Sequence, residues 1–148
     1  MTYTRDEIEA AFANYQAVAA VAAAANEWRA WADLFTEDAE YVEHLFGRFQ
    51  GREAIFRWIT DTMHTPPNDN MNAFPIDWYV IDADKGWVVC SVLNRMRDPG
   101  DGSVHQEYNW TLLKYAGNNQ WSYEEDMYNP AEFGKMIEGW LAAQRAAS

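Results

Sequence analysis

The sequence predicts an α+β fold: a curved, mostly antiparallel sheet wrapped around a long N-terminal helix and followed by a C-terminal helix. Three observations predict it. Apolar residues recur at helical three- and four-residue spacing up to about residue 64 and again after Asn129. From Phe74 to Tyr128 the period becomes two, the strand period. Three turn sequences cut that stretch into a meander: Asp82-Ala-Asp-Lys-Gly86, Asp98-Pro-Gly-Asp-Gly102 and Ala116-Gly-Asn-Asn-Gln120. Early helices followed by a run of strands is the α+β pattern. A twisted sheet that curls around one helix leaves a conical cavity at its mouth, and such cavities are default ligand sites.

Each element has its own signal. Thr4-Arg-Asp-Glu7 is a capping box opening the first helix, whose buried face is Ile8, Phe12, Tyr15, Ala19 and Ala22. Asn26 and Glu27 break it. Trp28, Trp31, Leu34 and Phe35 give a short second helix ending near Thr36-Glu37-Asp38, and a strand follows from Ala39 to about Phe46. Gly47 and Gly51 bracket a turn, and a helix from Arg52 to about His64 buries Ile55, Trp58, Ile59 and Met63. Pro66 to Asn70 is a loop. Phe74, Ile76, Trp78 and Val80 alternate with Pro75, Asp77, Tyr79 and Ile81 as the next strand. Strands at Trp87–Arg97, Val104–Tyr115 and Trp121–Tyr128 complete the meander. Asn129 caps the last helix with Pro130 at its first position, and Phe133, Met136 or Ile137, Trp140 and Leu141 form its apolar face. The order is α-α-β-α-β-β-β-β-α, in a single domain over residues 1–148.

Composition narrows the partners. The net charge of −12 repels phosphate backbones, and no basic cluster offsets it, so neither nucleic acid nor an anionic membrane surface is expected. The single Cys90 allows no intrachain disulfide and fits a reducing compartment. The apolar run Ala17–Ala25 is too short to cross a bilayer, and a cytoplasmic location is expected by default. Aromatic residues make up 16% of the chain, which suits an aromatic-lined cavity or interface and a hydrophobic small molecule as partner. An exposed apolar outer sheet face, from the alternation of Trp87, Leu93, Tyr108 or Trp110, would pair two copies as a homodimer.

The chemistry concentrates on two strands. Alternation sets Tyr41, Glu43 and Leu45 on one face, and Val42, His44 and Phe46 on the other. A carboxyl beside a phenol on an otherwise apolar face suits acid–base chemistry, since desolvation would raise Glu43 toward a useful general-base range. On the last strand Ser122, Glu124, Asp126 and Tyr128 share a face, which brings Asp126 opposite Glu43 if that face is interior. Two such carboxyls would share protons as an acid–base pair. His44 at the cavity mouth is a candidate proton shuttle. Asn94, Asn109 and Thr111 are candidate oxyanion donors on central strands. Trp58, Trp110, Tyr128 and Trp140 are candidate apolar lining. Cys90, on a pocket-facing position, is read as a small apolar filler. No histidines have metal-site spacing, so no metal is expected.

Trp28–Phe35 with Thr36-Glu-Asp-Ala39, Gly47-Arg-Phe-Gln-Gly-Arg-Glu-Ala-Ile55 with Trp58, Tyr115-Ala-Gly117 and Glu124-Glu-Asp-Met-Tyr-Asn-Pro130 carry a resemblance over nearly the whole chain. It resembles the SnoaL-like branch of the nuclear transport factor two-like superfamily, the cystatin-like α+β barrels. That resemblance implies a cofactor-free lyase, dehydratase, isomerase or cyclase acting on a hydrophobic cyclic or aromatic small molecule. Its alternatives are an epoxide hydrolase of the limonene type and a non-catalytic ligand-binding or dimerisation module. By resemblance Glu43 takes the place of the isomerase general base and Tyr15 that of an oxyanion-hole Tyr. Tyr41 and Glu43 take the epoxide hydrolase's water-positioning places, and Asp126 that of its catalytic Asp. Two places depart from the family patterns: the isomerase's second oxyanion acid is Thr111 here, and the epoxide hydrolase's Arg-x-Asp pair falls near Asn94 and Met96.

Overall fold

The computed structural model describes residues 2–148. Helix α1 (Arg5–Ala25) is capped by Thr4, whose Oγ1 accepts from the Glu7 amide at 3.1 Å. Glu7 does not return the bond as a capping box would. Its carboxylate accepts instead from the Tyr115 hydroxyl, tying the start of the helix to the sheet. Asn26, at φ 54°, ends the helix in the left-handed conformation that Asn tolerates, its amide bonding back to Ala22 and Ala23. The whole of α1 is long and apolar enough to cross a membrane by length and composition, unlike the Ala17–Ala25 run alone. Here it lies against the sheet with Ile8, Phe12 and Tyr15 buried.

The short helix α2 (Arg29–Ala32) leads into β1 (Phe35–Glu43), which starts four residues earlier than the sequence suggests. Acidic Thr36-Glu37-Asp38 looks like a helix end but lies on the strand, in the irregular stretch between Phe35 and Glu40 where its register shifts. The Gly47–Gly51 segment is likewise not all turn. Gly47–Gln50 forms β2, hairpinned on β1 in the register Glu43↔Gly47 to Glu40↔Gln50, and the turn is His44–Phe46. Phe49 anchors β2 by stacking on Trp58 at 4.8 Å. Gly51, at φ 94°, is confined by the Glu37 carbonyl, 3.3 Å from where a Cβ would stand. Helix α3 (Arg52–Met63) follows and buries Ile55, Ile59 and Met63.

After a 3-10 turn at Asn68–Asn70 come β3 (Met71–Ala73), β4 (Ile76–Asp82), β5 (Trp87–Met96), β6 (Gln106–Gly117) and β7 (Gln120–Met127), then α4 (Pro130–Ala147). The strand expected from Phe74 is thus β4, starting at Ile76, and a further strand before it, β3, shares the same edge of β5. A register shift between Ile76 and Trp78 also inverts the alternation. Ile76 faces the cavity, whereas Trp78 meets Trp110 on the outer face and Tyr79 packs on Phe12 of α1.

The sheet has seven strands in the order β2-β1-β7-β6-β5-β3, with β4 beside β5. Every pairing is antiparallel except β1 with β7, which are parallel. That parallel pairing sets Tyr41 beside Glu124 and Glu43 beside Asp126. The core between sheet and helices is aromatic: Phe12, Phe35, Trp121 and Trp140 are essentially inaccessible. Trp140 anchors α4, its Nε1 donating to the Arg97 carbonyl at 2.7 Å, so it seals the core and does not line the cavity.

Phe12→Ala is expected to lower unfolding free energy by about 3–5 kcal/mol in urea titration, whereas Val21→Lys, at a position 72% exposed, is expected to change it by less than about 0.5 kcal/mol.

Candidate active site

The sheet, α1, α3 and α4 enclose a cavity of about 370 Å³. Its walls are largely aromatic: Trp28, Trp31, Trp58 and Phe74 from the early elements, with Phe133 of α4 at the mouth. Leu45 and Phe46, in the β1–β2 turn, form the exposed opposite lip. The polar lining comes from four adjacent strands. Glu43 (β1), Asp126 (β7) and Thr111 (β6) form one cross-strand row, and Tyr41 and Glu124 form the next.

These side chains make one continuous hydrogen-bond network. Asn94 Nδ2 donates to Asn109 Oδ1 at 2.7 Å, and Asn109 Nδ2 donates to Thr111 Oγ1 at 2.8 Å. Thr111 in turn donates to Asp126 Oδ1 at 2.7 Å. The Tyr41 hydroxyl lies in a very short bond with Asp126 Oδ2 and at 2.6 Å from Glu124 Oε2. Tyr15 of α1 donates to Glu124 Oε1 at 2.6 Å. Glu43 is held separately: its Oε1 accepts from the backbone amides of Leu45 (2.7 Å) and Phe46 (3.3 Å), and its Oε2 accepts from the Tyr128 hydroxyl (2.7 Å). This carboxyl therefore also fixes the turn that makes the lip.

Burial dominates the electrostatics. Desolvation pushes Asp126 up to about 6, reinforced by the charge of Glu43 and opposed by its bonds from Thr111 and Tyr41. Desolvation, and then the charge of Asp126, hold Glu124 well above the ordinary carboxylate range. The Tyr41 and Tyr15 phenols are raised by burial and by the neighbouring carboxyls, so both act as neutral hydrogen-bonding groups. Burial first, and then the bond to Glu43, raise Tyr128 too. Cys90 is buried with its thiol pushed strongly upward by desolvation, and it lies behind the cavity wall instead of lining it as the alternation suggested.

Tyr15, Tyr41, Glu43, Trp58, Asn94, Asn109, Thr111, Asp126 and Tyr128 are therefore brought to one cavity. His44 is not. It is the first residue of the β1–β2 turn, exposed, with its Nε2 2.6 Å from Glu125 Oε2 and not lining the cavity. Trp110 is also outside, on the outer face of β6. Glu124 is the residue that the sequence reading passed over. Alternation set it on the face of Asp126 without a role of its own, and it is 3% exposed. Its two-residue spacing from Asp126 was the available signal. Among the described residues no cluster of three or more His, Cys, Asp or Glu side chains is placed to hold a metal ion.

A helix cradled by a curved sheet, with a polar row at the base of an apolar cone, defines the cystatin-like α+β class. The chain belongs to the SnoaL-like domain family, whose profile matches residues 4–145. No curated protein matches it. Among solved structures it is similar to a ketosteroid isomerase-like fold from Catenulispora acidiphila in complex with trimethylamine, with 22% identity over 78% of this chain and 85% of that one and a TM-score of 0.61. An NTF2-like protein from Anabaena variabilis shares 14% identity over 87% and 94%, with a TM-score of 0.66. A putative polyketide cyclase from Sinorhizobium meliloti shares 16% over 77% and 94%, with a TM-score of 0.58. At these identities the likeness is one of fold.

Because Asp126 binds its proton more tightly folded than unfolded, its contribution favours the folded state fully below about pH 4 and is lost as pH rises through about 6. The stability of the wild-type chain relative to Asp126→Asn is accordingly expected to fall by about 2–3 kcal/mol between about pH 4 and about pH 8. Paired denaturant titrations check this, and a flat difference would contradict it.

Proposed function

We propose that the protein is a cofactor-free acid–base enzyme that abstracts a proton from a hydrophobic cyclic or aromatic small molecule, leading to isomerisation, dehydration, cyclisation or another elimination. The observation that carries this reading is Asp126: a carboxyl lining an apolar cavity, poised at about 6, with its oxygens oriented by Thr111 and Tyr41. A base that titrates near the working pH is both available and strong enough to act. The sequence allowed either Glu43 or Asp126 as base, and the geometry favours Asp126. Glu43, tied by two amides and the Tyr128 phenol, is assigned the role of a fixed negative charge that orients the ligand and shapes the mouth.

The lining also bears on substrate charge. It contains Glu43, Glu124 and Asp126 but no Lys, Arg or His. A carboxylate-bearing ligand would be repelled, so the substrate class is taken to be neutral or cationic, with aromatic walls available for stacking or cation–π contact. The trimethylamine complex of the Catenulispora protein accords with that choice. Two rival readings are weaker. Epoxide opening lacks support from an Arg-x-Asp pair, since Asn94 and Met96 stand there. A purely structural module would leave little cavity and would tie Glu43 to an Arg, whereas about 370 Å³ is open and the partners of Glu43 are amides and a phenol.

We also propose a homodimer through the outer sheet face, where Trp78, Val80, Tyr108, Trp110 and Met127 are exposed together. Such a patch is large for a free surface.

Turnover against a panel of neutral and cationic cyclic ketones, alcohols and amines is expected to fall by about 10²–10⁴ in kcat for Asp126→Asn, with carboxylate-bearing analogues unprocessed. Full turnover in that variant would sink the assignment of the base. Sedimentation equilibrium is expected to give a dimer for the wild-type chain and a folded monomer for Trp110→Asp; a wild-type monomer would overturn the dimer.

A further inference from the structure

The hydrogen-bond geometry of the cavity base fixes more than a list of partners. Tyr41 has one hydroxyl proton and lies in bonding distance of two carboxyls, Glu124 Oε2 at 2.6 Å and Asp126 Oδ2 still closer. It can donate to one of them only. The other contact must run the opposite way, from a protonated carboxyl to the phenol oxygen, or it would set two oxygens bearing lone pairs against each other in a buried site. Four further donors limit where that second proton sits. Asp126 Oδ1 is taken by Thr111, whose own oxygen is filled by Asn109, which Asn94 holds in turn. Glu124 Oε1 is taken by Tyr15. Each carboxyl therefore has one oxygen committed as an acceptor and the other facing Tyr41.

We propose that Glu124 is the proton store of the site: it holds one proton in common with Asp126 and passes it through the Tyr41 hydroxyl. In the resting arrangement Glu124 Oε2–H donates to Tyr41 and Tyr41 donates to the Asp126 carboxylate. Burial separates the two acids in this sense. Glu124 is 3% exposed at the base of the cavity, whereas Asp126 is only partly buried and is the carboxyl more open to a ligand. The raised affinity of Glu124 for its proton agrees with this order.

The arrangement has a second form. If the Tyr41 proton moves to Asp126 as the Glu124 proton moves to Tyr41, Asp126 becomes an acid and Glu124 a carboxylate. Two protons shift by one bond each, Tyr41 ends neutral as it began, and the single negative charge moves from Asp126 to Glu124. One residue at the cavity surface thus serves as base in one form and acid in the other, which a reaction that both removes and delivers a proton requires. Glu124 acts on Asp126 through Tyr41, so it is a positioning residue. This rests on the reading of Asp126 as the reacting carboxyl, but its test does not depend on turnover.

The test is infrared spectroscopy of the full chain at about pH 8, well above the ordinary carboxylate range, where a protonated carboxylic acid gives a C=O stretch resolved from ionised carboxylates. The expected result is one such band that shifts when Glu carboxyls carry carbon-13, stays in place when Asp carboxyls do, and is lost in Glu124→Gln. No band, or a band that shifts with labelled Asp, would overturn the proposal. Because labelling leaves the wild-type fold intact, the experiment decides even if Glu124→Gln fails to fold. If the Glu band is present but Asp126→Asn retains turnover, the proton store stands and the assignment of Asp126 as base falls.

Discussion

The parallel pairing of β1 with β7 is the constraint on which the site depends. It is the one parallel contact in an otherwise antiparallel sheet, and it joins elements some 80 residues apart in sequence. Parallel neighbours need a long crossover, and here the crossover is the rest of the domain. Its register places the Tyr41–Glu43 dipeptide step directly against the Glu124–Asp126 step. A slip of one residue would turn both carboxyls of β7 outward and put Glu125 and Met127 into the cavity. The chemistry is thus a consequence of one ladder, held by the Phe35, Trp121 and Tyr41 aromatic packing beneath it.

Placing three carboxyls around one cavity is costly, because isolated buried charge costs several kcal/mol per ion. The structure offsets that cost in two ways. Glu43 is satisfied by two backbone amides and a phenol, the kind of donor set that sustains an acceptor without a cation. Glu124 and Asp126 take phenol and hydroxyl donors and keep one proton between them, so that the charge on the pair is smaller than their number suggests. No arginine or lysine lines the cavity to neutralise the group, and a titratable carboxyl stays at its surface.

Much of this was legible in the sequence, for reasons that can be named. Alternation on β1 and β7 is uninterrupted between residues 40 and 43 and between 123 and 127, so Tyr41, Glu43 and Asp126 could be placed by counting. The same held for Asn94, Asn109 and Thr111 on β5 and β6, whose register runs without a shift from Trp87 to Arg95. Counting failed where the ladder is irregular. The bulge at Asp77 reversed Trp78 and Val80, and two glycines disguised β2 as a turn. Glu124 was set on the face of Asp126 by the same count, but its depth was not legible there. Only the depth of the cone and the two tyrosines that reach it, one from α1 and one from β1, make it an interior residue. His44 was expected at the cavity mouth, but it sits in the β1–β2 turn with its ring on Glu125 and does not line the cavity.

The central claim is that Asp126 is a cavity-facing carboxyl held near neutrality by burial. The most direct measurement is a carbon-13 carboxyl titration of the Asp residues, with Asp126→Asn to assign the resonance. The account requires a midpoint near 6 for Asp126, displaced on binding of a neutral or cationic cavity ligand. A midpoint in the ordinary aspartate range, about 3–4, with no response to ligand, would contradict it.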